Sequence, residues 1–135
     1  MRLLLDTHIV IWALANDPNL PKKARELILD EGNDIYVSVV SLWEVVVKHA
    51  LHRKDFPYSG KDFLDACERA GYCMLVLNEA DVLAVESLKR DREAPPHKDP
   101  YDRLLLGQAK AEGLALVTHD SLIPDYNEPC VLSVK

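Results

Sequence analysis

Five short hydrophobic runs punctuate this chain: RLLLD (2–6), DIYVSVV (34–40), YCMLVLN (72–78), LALVTHD (114–120) and CVLSV (130–134). Runs of this length, rich in Leu, Val and Ile and without strict polar alternation, suit strands buried on both faces of a sheet. The segments between the first four runs carry helical patterning. HIVIWALA (8–15) is apolar nearly all round, which places it centrally or at an interface. A second helix lies between Pro21 and Gly32. Further helices are expected at SLWEVVVKHALH (41–52), SGKDFLDACERAG (59–71, ended by Gly71), EADVLAVESLKRD (79–91) and PYDRLLLGQAKAEG (100–113). Buried strands alternating with helices predict an α/β fold, with a mostly parallel sheet covered on both faces. No repeat or long linker divides the sequence, so residues 1–135 are expected to form a single domain.

In such sheets ligands gather at the carboxyl ends of the strands, where the strand order reverses. Four acids fall in matching places. Asp6 ends the first run and Asp120 the fourth, while Glu44 and Asp102 sit in the first turn of a helix. Each has a plain structural account. Asp6 suits an N-cap, Ser41 and Glu44 form a capping-box pattern, and Asp120 suits a turn. Glu44, Lys48 and His52 follow i, i+4 spacing like a solvated stripe. Asp99–Pro100–Tyr101–Asp102 is a well-formed helix start, with Asp99 as N-cap, Pro at N1 and an acid at N3. Taken together, the four predict something else. Carboxylates gathered within a few ångströms repel one another, and a hard divalent cation makes such a cluster tolerable. One or two ions held this way activate water and stabilise the leaving oxygen of a phosphodiester.

The blocks LLLDTHIVIWAL, SVVSLWEVVVKHAL, HKDPYDRLLLGQA and GLALVTHD, in this order and at these separations, resemble the four signature blocks of the PIN-domain ribonucleases. Within them the resemblance is to the VapC-type toxins of toxin–antitoxin pairs, and it covers residues 2–126. It implies a three-layer α/β/α sandwich with a parallel sheet of about five strands. It also implies a Mg²⁺- or Mn²⁺-dependent endoribonuclease that cleaves single-stranded RNA. Carried over residue by residue, Asp6, Glu44, Asp102 and Asp120 match the family's acidic quartet. Asp6 and Asp102 are the expected metal ligands, and Glu44 and Asp120 complete the shell, bind a second ion or orient the attacking water. Thr7, Ser41 and Thr118 match small hydroxyl residues that hydrogen-bond those acids. Asp99 is expected to cap its helix and to reach metal only through water.

Other features bear on partners. Lys98 and Arg103, with His97, flank the Asp102 block, and Arg53 lies in a second basic stretch. These are candidates for the RNA backbone, with a solvated loop as the competing account. The net charge of −6 argues against binding nucleic acid through bulk positive potential, unless cations load the acid cluster. His8 stands where the family usually has a polar residue and is not assigned as a base. Trp12 and Trp43 read as core or interface residues rather than base-stacking platforms. On the 41–52 helix, Leu42, Val45 and Val46 form one apolar stripe and Trp43, Val47 and Leu51 another, which suggests two packing partners. The resemblance offers a second copy of the chain, as a homodimer, or a VapB-type antitoxin. A larger core is the alternative.

Three cysteines without metal or disulfide spacing predict buried thiols in a reducing cytoplasm. No run is long enough to span a membrane, and the N-terminus lacks a signal-peptide pattern. A haloacid-dehalogenase-type site needs a second aspartate where His8 stands. A response-regulator receiver needs a lysine where LVTHD supplies an acid. Two alternatives remain open: a PIN nuclease that processes RNA without an antitoxin, and a non-catalytic PIN-like binding module.

Overall fold

The structure is a computed structural model that describes residues 1–135. Five strands, β1 (Arg2–Leu5), β2 (Asp34–Ser38), β3 (Cys73–Leu75), β4 (Ala115–Thr118) and β5 (Val131–Ser133), form one sheet in the order β3-β2-β1-β4-β5. All four pairings are parallel. Six helices accompany them: α1 (Thr7–Leu14), α2 (Lys22–Leu29), α3 (Val39–His49), α4 (Gly60–Arg69), α5 (Glu79–Ala84) and α6 (Pro100–Glu112). This is the expected α/β/α sandwich.

Successive strand residues point to opposite faces, and the core divides accordingly. Leu3, Leu5, Ile35, Val37 and Val117 pack with Ile9 and Val10 of α1, Ala24 of α2, Val45 of α3 and Phe63 of α4 on one side. Leu4 and Leu116 pack with Leu105, Leu106 and Ala109 of α6 on the other, joined by Val40 of α3. Burying both faces is what the continuous apolar strands require. Because β1 lies between β2 and β4, successive crossovers depart to opposite sides of it. The strand order therefore reverses beside β1, and a crevice opens there at the strands' carboxyl ends.

Two boundaries differ from expectation for identifiable reasons. The second strand stops at Ser38, because the Ser38 Oγ accepts from the Val40 amide at 2.9 Å and caps α3. Ser38 rather than Ser41 thus starts the helix, and Ser41 lies buried within its first turn. The helix expected over 79–91 ends at Ala84, with one 3₁₀ turn over Val85–Ser87. Beyond it the Arg90 guanidinium donates to the Leu122 and Pro95 carbonyls and pairs with Asp125 at 3.2 Å, which draws the chain toward the loop after β4. The cysteine expectation holds for Cys67, which is buried, but Cys73 is exposed on the edge strand β3.

Gly107 of α6 lets α5 approach closely. A Cβ there would lie 2.8 Å from Val85 Cγ2 and 3.1 Å from the Asp81 carbonyl oxygen. Gly107→Ala is expected to lower stability by about 1–2 kcal/mol, because overpacking outweighs the helix propensity that alanine gains. A urea unfolding curve reads this as a lowered midpoint, and an unchanged midpoint would contradict the close packing.

Candidate metal centre

Asp6 follows β1 directly and caps α1, its Oδ1 accepting from the Thr7 amide at 2.7 Å. Its Oδ2 accepts from the Thr118 hydroxyl at 2.7 Å, which ties the end of β1 to the end of β4 across the switch point. The Asp120 amide donates to the same Thr118 Oγ at 3.0 Å, while Asp120 Oδ1 accepts from the Leu122 and Ile123 amides at 2.6 and 3.0 Å. The turn suggested for Asp120 therefore exists alongside its place in the crevice. Thr7 and Ser41 bond each other, Oγ to Oγ at 2.8 Å, rather than an acid, and so fix α1 to α3. Asp99 caps α6 by accepting from the Tyr101 and Asp102 amides at 2.9 and 3.1 Å.

These elements bring Asp6, Glu44, Asp99, Asp102 and Asp120 to one crevice of about 300 Å³, which Trp12, His8, His119 and Lys48 also line. Asp6, Glu44 and Asp102 are buried. The crowding shows in the acidity of Asp6 and Asp102. Burial pushes the Asp6 carboxyl up to about 6, against the bonds from Thr118 and Thr7 that favour its charged form. Burial, followed by the charges of Asp6, Asp99, Asp120 and Glu44, pushes Asp102 up to about 9. His8 is held below its ordinary value by burial, as suits a neutral ring packed against Trp12 and Phe56.

Glu44 is the acid of the cluster whose own bonds are least complete. The residue is 3 % exposed, and its Oε1 has no hydrogen-bond partner. Its Oε2 pairs with the Lys48 ammonium at 2.6 Å. The expected solvated stripe is in fact a shielded pair: Lys48 Nζ lies 5.3 Å from the Phe56 ring centre and 5.1 Å from that of Tyr101. A partnerless buried carboxylate oxygen among like charges costs free energy unless a cation satisfies it. The carboxylate oxygens of the cluster suit a hard divalent ion.

Sequence reasoning placed the four acids together but missed two neighbours. Lys48 looked like a surface residue because i, i+4 charge pairs usually are. His97 was grouped with the exposed bases, yet its side chain is buried, with Nε2 3.2 Å from Asp102 Oδ2 and Nδ1 2.8 Å from the Tyr126 hydroxyl. Nothing in its spacing marks it, since Tyr126 reaches it only through the fold. Lys98, Arg103 and Arg53 are exposed, and none lines the crevice.

Fold and site together define an α/β/α protein whose carboxylates converge where the strand order reverses. A model of the PIN domain matches residues 3–128, and the chain belongs to that family. Solved structures similar in fold include a VapBC2 complex from Rickettsia felis bound to a promoter DNA fragment. It shares 20 % identity at a TM-score of 0.67, covering 98 % of this chain and 97 % of that one. DNA-bound VapBC from Salmonella typhimurium matches at 18 % identity and a TM-score of 0.66, over 100 % and 99 % of the two chains. VapBC-1 from nontypeable Haemophilus influenzae matches at 18 % and 0.66, over 99 % and 98 %. Comparison with curated protein sequences gives no significant match. No helix is long and apolar enough to cross a membrane.

Proposed function

We propose that this chain is a divalent-metal-dependent endoribonuclease and the toxin of a toxin–antitoxin pair. The observation that carries the nuclease is the cluster of buried Asp6, Glu44 and Asp102 with half-buried Asp120, with Glu44 Oε1 left partnerless. Membership of the PIN-domain family supports the same reading. Asp6, Asp102 and Asp120 are assigned to hold Mg²⁺ or Mn²⁺. When bound, such an ion stabilises charge on the phosphodiester and lowers the pKa of an attacking water.

The chain's own groups do the rest. Thr118 keeps the Asp6 carboxylate turned into the crevice, and Asp99, through its cap on α6, fixes the backbone that carries Asp102. Lys48 holds Glu44 in place and sets a positive charge at the rim of an otherwise acidic cleft. Exposed Lys98, Arg103 and Arg53 are assigned to the RNA backbone, where each phosphate contact adds to the salt dependence of binding.

The toxin half of the reading assigns a VapB-type antitoxin and a second copy of the chain as partners. Support comes from a toxin–antitoxin complex from Klebsiella pneumoniae of similar fold and from the molecule's own surface. Trp43 is 60 % exposed on α3 and, with Val39, Leu77, Pro100, Tyr101 and Leu104, lines an apolar groove of about 380 Å³. Trp43→Asp is expected to weaken partner association roughly 30-fold, as loss of an aromatic anchor does. Stability should change by no more than about 0.5 kcal/mol, because the residue is mostly outside the core. Sedimentation of the free chain and co-purification with antitoxin both read the effect, and an unchanged affinity in each would remove this groove from the account. Expression of the wild-type chain alone is expected to arrest growth and co-expressed antitoxin to relieve it. Arrest that survives Asp102→Asn would sink the nuclease as its cause.

A further inference from the structure

His97 stands at the cluster with a geometry that neither RNA binding nor simple packing explains. Its side chain is 3 % exposed. One donor atom each from His97, Asp102 and Asp120 lies within 4.8 Å of the others. Bonds of about 2.1–2.2 Å from one ion to imidazole nitrogen and carboxylate oxygen need donors within roughly 4.4 Å, so only a small side-chain adjustment separates this trio from a shared ion.

The far nitrogen is held as well. Nδ1 lies 2.8 Å from the Tyr126 hydroxyl, the two rings meet edge to face at 5.5 Å, and the Arg90 guanidinium covers Tyr126 at 4.9 Å. Tyr126 is delivered by the turn that Asp120 caps, so the residue that fixes His97 is placed by one of the acids. A metal-binding histidine ordinarily donates its second N–H to a fixed acceptor, which sets the tautomer and aims the other nitrogen's lone pair at the ion. Tyr126 Oη is placed to accept that hydrogen, leaving Nε2 facing Asp102. The partnerless, buried Glu44 Oε1 on the same crevice independently calls for a cation there.

We infer that His97 Nε2 is a direct ligand of the ion held by Asp102 and Asp120, so that the centre is a mixed nitrogen–oxygen site. Such a site selects a divalent transition ion over Mg²⁺, which takes oxygen almost exclusively. The inference rests on the proposed metal centre and adds a ligand that the acidic quartet does not contain. The same nitrogen lies 3.2 Å from Asp102 Oδ2.

Pulsed electron paramagnetic resonance of the full chain loaded with one equivalent of Mn²⁺ tests it. Wild type is expected to show the modulation of a directly bound imidazole nitrogen. His97→Asn should lose it while still binding Mn²⁺, with affinity about 10- to 100-fold weaker. Its Mg²⁺ affinity should change less than about threefold, since the Mg²⁺ shell is oxygen. Tyr126→Phe, which keeps the ring and the fold, should weaken Mn²⁺ in the same direction. A nitrogen signal that persists in His97→Asn would assign it to His8 or His119, the histidines that line the crevice, and overturn the inference. So would stoichiometric Mn²⁺ without any bound nitrogen in wild type, in which case His97 serves to orient Asp102. No Mn²⁺ binding at all would overturn the metal centre itself, and this inference with it.

Discussion

Asp102→Asn is expected to reduce RNA cleavage roughly 100-fold or more while making the metal-free protein more stable at pH 8. The two effects have one origin. Asp102 is buried at the head of α6, and burial together with four neighbouring carboxylates pushes its pKa up to about 9. Folding therefore either strips a charge of water or takes up a proton, and both cost free energy. Asparagine keeps the shape and removes the cost, a gain of about 2–3 kcal/mol at pH 8. It also removes a charged ligand, so divalent ions should no longer raise the melting temperature. A residue that merely caps or fills space would behave oppositely, losing stability on substitution. Calorimetric melting in a chelator, beside an RNA cleavage assay, reads both halves. Lowered stability together with retained cleavage would contradict the assignment.

The second large effect is a pH dependence whose sign reverses with metal. Asp6 and Asp102 both have folded-state values raised above the ordinary 3.8, to about 6 and about 9. A carboxyl raised in this way contributes stability that is fully present below its unfolded value and is lost as pH rises through its folded one. The half-buried His8 and the buried side chain of His97, lowered from 6.5, act the other way and add stability as pH climbs toward that value. The metal-free protein should thus lose stability from about pH 4 upward, through Asp6 and Asp102 together to about pH 6 and through Asp102 alone to about pH 9, with the histidines offsetting part of the loss below 6.5. An ion needs the deprotonated ligands, so its binding strengthens over the same range. At about 100 times its dissociation constant it returns about 2.7 kcal/mol. Melting temperatures from pH 6.5 to 9 should fall in chelator and stay level or rise with Mn²⁺. Parallel curves in the two conditions would mean that the carboxylates are not the ion's ligands.

Much of the fold was legible because burial on both faces leaves a strong mark on a strand. The stretches LLL of β1 and ALV of β4 carry no polar residue, and both lie in interior strands of the sheet. The place of the site was legible for the same reason, since the acids that end those strands must face the switch point beside β1. Boundaries depended on side-chain bonds that sequence patterns do not rank. Ser38 and Ser41 are equally good caps on paper, and the fold uses Ser41 to bond Thr7 instead. The shortening of α5 depends on Arg90 finding Leu122 and Asp125 more than thirty residues away.

The site shows the same division. Acids at strand ends and helix starts are read locally, whereas Lys48 and His97 acquire their meaning from what folds over them. Phe56 and Tyr101 turn a surface ion pair into a shielded one, and Tyr126 turns a loop histidine toward Asp102. Asp99 is the converse case. Its helix-start pattern was sufficient, and the structure gives it the two backbone bonds of an N-cap.

The most direct measurement of the central claim is cleavage of a mixed-sequence single-stranded RNA by the purified, antitoxin-free chain. It is run with Mn²⁺ or Mg²⁺ and with EDTA, beside Asp102→Asn and Asp99→Asn. The account predicts cutting that requires the ion, vanishes in Asp102→Asn and survives in Asp99→Asn, which should lose only up to about 1 kcal/mol of helix capping. Folded wild-type protein that leaves the RNA intact with either ion, or that cuts it equally well in EDTA, would contradict it.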